Sequence, residues 1–76
     1  MTHEQIVHTI LNMWQECYSD KMLEIGQSER QEQAHALARM AQREMDTLRR
    51  GGIDENTAWA EARSICLVPP VTPDDY

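Results

Sequence analysis

The sequence predicts an all-α fold: a small three-helix bundle, with helices over about residues 3–24, 29–50 and 55–66, and an extended proline-rich C-terminal tail. Three observations predict it. Every glycine and proline falls at Gly26, Gly51, Gly52, Pro69, Pro70 or Pro73, which leaves three uninterrupted stretches. Within each stretch the apolar residues recur three and four apart, the helical period. Two of the stretches open on a capping box, Thr2 to Gln5 and Ser28 to Gln31.

The first helix is expected to start near His3. Ile6, Ile10, Met13, Trp14 and Cys17 form its apolar stripe, and Val7, Leu11, Tyr18 and Met22 widen that stripe to about half the cylinder. Such a width suits insertion between two neighbours, so this helix is expected to lie against both others. The second helix carries Ala34, Leu37, Ala38, Ala41, Met45 and Leu48 on one narrow face, where alanine permits close approach and contributes little burial. Arg49 and Arg50 suit its negative end, and Gly51 is expected in the left-handed position that ends it. For the third helix Asp54 is the expected cap, with Ile53 stapling against Ala58. Its buried face takes Ala58, Trp59, Ala62, Ile65 and Cys66, making Trp14 and Trp59 the largest expected core pieces. Residues 1–68 then form the helical domain and residues 69–76 the tail, ending Asp74, Asp75, Tyr76.

Seventy-six residues hold one core and leave no room for a second domain. With no Phe and an Ala-rich apolar set, help from a partner or a second copy is a natural expectation. The net charge of −6 sits at the ends: −3 over residues 1–27, +1 over residues 28–52 and −4 over residues 53–76. That distribution argues against a phosphate-binding surface, which needs a basic patch. No stretch is apolar enough to span a bilayer and no leader pattern is evident, so a cytoplasmic protein with reduced cysteines is expected.

Candidate chemistry is sparse. His3 and His8 are five apart and point away from each other on a helix, so no metal site is predicted and the three histidines are expected to be solvated. Cys17 and Cys66 fall on apolar stripes and read as buried small hydrophobes, with a disulfide between the first and third helices geometrically conceivable. Glu29, Glu32, Glu44 and Asp46 lie among Arg30, Arg39 and Arg43 and read as solvated surface partners. No phosphate loop or nucleophile elbow is present, and neither an enzyme nor a cofactor is expected. A helix-turn-helix would present Asp54 and Glu55 to the DNA with Arg63 as its one cation, a poor match to phosphate.

What remains is interaction. Val7, Leu11, Tyr18 and Met22 lie at the edge of the wide stripe, and either stay exposed as a partner surface or are covered by Leu67, Val68 and Val71 of a tail that folds back. Glu16, Asp20 and Glu24 step by four along the first helix, and the last two stand where its dipole disfavours acids. These seven residues are the expected partner-binding set. The expected function is a small acidic module that inhibits or adapts a larger protein, one with a basic surface. In size and charge it is similar to the phage and mobile-element proteins that block nucleic-acid-handling defence enzymes, the anti-CRISPR type. The alternatives are a homodimeric accessory subunit and a DNA-binding regulator.

Overall fold

The computed structural model describes residues 2–71 and places four helices in order: α1 (His3–Cys17), α2 (Ser19–Leu23), α3 (Gln27–Arg50) and α4 (Glu55–Cys66). It is the three-helix bundle expected, with the first helix broken in two. No strand occurs among the described residues. Asp74, Asp75 and Tyr76 lie outside them.

α1 starts as its capping box dictates. The Thr2 hydroxyl accepts from the Gln5 backbone N–H at 3.2 Å, and the Gln5 side-chain oxygen accepts from the Thr2 N–H at 2.9 Å. The expected run to residue 24 stops at Tyr18, whose backbone (φ −132°, ψ 38°) leaves the helical region. Ser19 and Asp20, two weak helix formers, follow that break. Turning there lets Met22 and Ile25 fold into the core, at 5% and 3% exposure, where a straight helix would have carried them past its end.

The start of α3 also differs from expectation. Ser28 caps nothing: the helix begins at Gln27 with Gly26 in extended backbone before it and no side-chain cap. Burial of Ile25 sets this entry point. The Arg30 side chain donates back to the Ile25 carbonyl at 3.1 Å, and the Arg30 backbone N–H closes on Gly26 at 3.0 Å.

At the other end the left-handed residue is Gly52 (φ +93°) and not Gly51 (φ −79°). The Gly52 N–H bonds the Arg49 carbonyl at 3.0 Å and the Ile53 N–H bonds the Leu48 carbonyl at 3.1 Å, the paired closure of a Schellman motif. Ile53 and Leu48 then both pack against the core. A Cβ at Gly52 would meet nothing within 4 Å, so substitution costs backbone strain alone. Gly52→Ala is expected to destabilise by about 1–2 kcal/mol. The thermal midpoint then falls by roughly 4–8 °C per kcal/mol, and an unchanged midpoint by calorimetry counts against the motif.

α4 is capped by Asp54, whose carboxylate accepts from the Thr57 N–H at 3.4 Å; hydrogen bonding with Thr57, through its side chain first and its backbone second, holds the carboxyl below its ordinary range.

The spine of the bundle is α3, with α1 and α4 both packed chiefly against it. Its 24 residues span about 36 Å, most of the 41 Å long axis of the molecule. The central place expected of the first helix belongs to the alanine face of α3. Ala34, Ala38 and Ala41 are fully buried and Met45 nearly so, and small side chains let two helices approach one rod closely. Trp14, Ile6 and Ile10 are the bulk of the core from α1, with Ala58, Ala62 and Cys66 from α4.

After α4 the chain folds back. The Trp14 indole N–H donates to the Val68 carbonyl at 2.8 Å, Pro70 is fully buried, and the Gln33 side-chain amide both donates to and accepts from the Val71 backbone at 2.8 Å. Leu67, Val68 and Val71 are themselves exposed, so this strap binds through its backbone and Pro70 and not through the apolar side chains expected to cover the edge. No helix among the described residues is long and apolar enough to cross a membrane.

Candidate functional site

Because α1 and α4 both lean on α3, they diverge from each other on the far side and leave a groove of about 430 Å³ between them. Its floor is Ile10 and Cys66, both buried. Met13 and Tyr18 come from the α1 side, Trp59 and Arg63 from α4, and Leu67 closes one end. The period of α1 places Ile10, Met13 and Cys17 on this side. A shallow depression lined by Cys17, Tyr18 and Asp20 adjoins the groove, bringing the exposed Asp20 carboxylate to its rim.

Both cysteines line this groove and both are free thiols. Cys17 is exposed, against expectation, and Cys66 is buried as expected. Burial pushes the Cys66 thiol up, away from the thiolate that nucleophilic or redox chemistry uses.

The seven expected partner-binding residues do not form one surface. Val7 and Met22 are buried, at 2% and 5% exposure, which takes them out of the expected partner-binding set: the turn at Tyr18 folds Met22 back into the core. Leu11 and Tyr18 are half-buried. Tyr18 faces the groove, whereas Leu11 joins Met22 in a separate depression beside Arg30 and Gln31. Glu16, Asp20 and Glu24 are exposed as expected. Trp59, assigned to the core from sequence, is half-buried and lines the groove instead. Its spacing on α4 could not separate a core position from a groove wall.

The histidines also depart from expectation. His8 is exposed, but His3 and His35 are half-buried and meet across α1 and α3, Nε2 of His3 lying 2.7 Å from Nδ1 of His35 with the ring centroids 4.9 Å apart and the ring planes 25° from parallel. Thirty-two residues separate them, so no local spacing signals the pair.

Comparison with protein-family models, curated proteins and solved structures gives no match. The functional reading therefore rests on the geometry of the groove and on charge.

Proposed function

We propose that this chain is a protein-binding module that inhibits or adapts a larger partner by receiving an apolar segment, flanked by basic residues, in the groove between α1 and α4. The observation that carries the reading is the groove's lining. Trp, Tyr, Met and Arg are the side chains enriched in interface cores, and Trp59, Tyr18, Met13 and Arg63 converge on one concavity. Its volume lies within the range of ligand-binding clefts. Exposed Leu67 widens the apolar area at one end, while Asp20 at the rim and exposed Glu16 nearby supply charge for a basic partner. A net charge of −6 adds long-range attraction to such a surface.

Capture from the native host followed by mass spectrometry, comparing the wild type with a Tyr18→Ala, Trp59→Ala variant, tests this. A partner enriched by the wild type is expected to fall by at least about tenfold on the variant, as loss of interface aromatics costs more than about 1.4 kcal/mol. Glu16→Lys with Asp20→Lys is expected to weaken the same capture, and more so at low salt. Equal capture by all three proteins refutes the groove. A dimeric mass by light scattering that the aromatic variant converts to monomer would assign the groove to a second copy, the accessory-subunit reading.

A further inference from the structure

We propose that His3, His35 and Glu4 form a binding site for a divalent transition metal of the zinc class, joining the first turn of α1 to the middle of α3. The ligand-type atoms of these three side chains all lie within 4.8 Å of one another. Two are imidazole nitrogens and one is a carboxylate oxygen, a donor set that favours zinc and its borderline neighbours over calcium or magnesium.

The histidine contact is the informative part. Nε2 of His3 and Nδ1 of His35 are directed at each other at 2.7 Å, and two nitrogen lone pairs are held in that arrangement only by something positive between them. In the metal-free pair that is a single proton, donated by one ring and accepted by the other. A metal ion takes the same place with both lone pairs directed at it. Zinc bound tetrahedrally at about 2.0–2.1 Å from each nitrogen sets the two nitrogens roughly 3.3 Å apart, so the rings need to part by roughly 0.6 Å and to tilt until their lone pairs converge on the ion. Glu4 stands one residue beyond His3 at the start of α1, and its exposed side chain is free of packing that would stop it swinging in. Three protein ligands leave a fourth position for water.

The site is built by the fold and not by a local motif. The capping box at Thr2 and Gln5 fixes the backbone at His3, and α3 presents His35 one residue after the buried Ala34. Half-burial restrains both rings, which lowers the ordering needed when a metal binds. A bound ion would tie together residues 32 apart in the chain, and because the unfolded chain has no such site, binding adds directly to folding stability.

The test is a titration of the full chain with Zn²⁺, followed by calorimetry and by thermal midpoint, with Co²⁺ as a spectroscopic probe of coordination. One equivalent is expected to bind, and an excess of about a hundred times Kd is expected to raise the midpoint by about 10 °C or more. His3→Gln and His35→Gln are each expected to weaken binding more than about a hundredfold, beyond the loss from removing an outer-shell partner. Glu4→Gln should weaken it less. His8→Gln and Cys17→Ser, at exposed positions, are expected to bind as the wild type does. His3→Gln changes the half-buried first residue of α1, so its circular dichroism provides the check that lost binding is not lost folding. The absence of a midpoint shift at millimolar Zn²⁺, or binding that survives either His3→Gln or His35→Gln or disappears with Cys17→Ser, would overturn the site.

Discussion

Trp14→Ala is expected to remove a large share of the chain's folding stability. Trp14 is the largest fully buried side chain, and large aromatic-to-alanine changes in cores cost about 3–5 kcal/mol. A chain of this length has roughly 4–11 kcal/mol in total at ordinary stability per residue. The loss goes beyond volume, because the indole N–H is the partner of the Val68 carbonyl, and its removal frees the strap that seats Pro70. Trp14→Phe separates the two contributions: it keeps most of the ring and removes the hydrogen bond, for an expected cost of about 1–3 kcal/mol. Urea unfolding followed by circular dichroism reads both variants. A cooperative transition for Trp14→Ala at the wild-type midpoint would mean that the core does not depend on this residue.

Enlarging the spine is the second large effect. Ala38→Leu puts three extra carbons where the exposure is 0%, on the face against which α1 and α4 pack. Overpacking of a well-filled site costs typically about 1–3 kcal/mol, and a helix wedged between two others has less room to relax than one with a free side. Ala60→Leu, at an exposed position on α4, is the control and is expected to change stability by less than about 0.5 kcal/mol. Equal midpoints for the two variants would show that α3 is not the closely packed element. The expected result also accounts for the composition. Alanine contributes little burial of its own, but on this rod it sets the helix spacing for the whole bundle.

The parts legible in the sequence are those decided locally. Thr2 and Gln5 satisfy each other within four residues, Asp54 reaches Thr57 three residues on, and glycine and proline stop helices wherever they stand. The parts that were not legible depend on groups far apart in the chain. Gly26 replaces Ser28 at the head of α3 because Ile25 is drawn into a core built largely by other segments. Tyr18 ends α1 for the same reason, since the gain comes from burying Met22. Of the groove residues, Tyr18 is legible as an edge position of the α1 stripe, while Val7 and Met22 share that stripe and lie inside. The α4 wall of the groove escaped because a half-buried Trp59 and a fully buried one have the same periodicity. The His3–His35 pair escaped because helices that cross bring together residues with no fixed spacing.

The bond from Trp14 to Val68 spans 54 positions, and this has a consequence for the newly made chain. A ribosome delivers the indole long before the carbonyl that will accept its proton, and water must fill that role in the interval. The helices can therefore gather while their largest ring is still unlatched, and contacts between distant residues are the slow ones to form. Order of synthesis becomes order of closure, with the strap made after the helices that it locks.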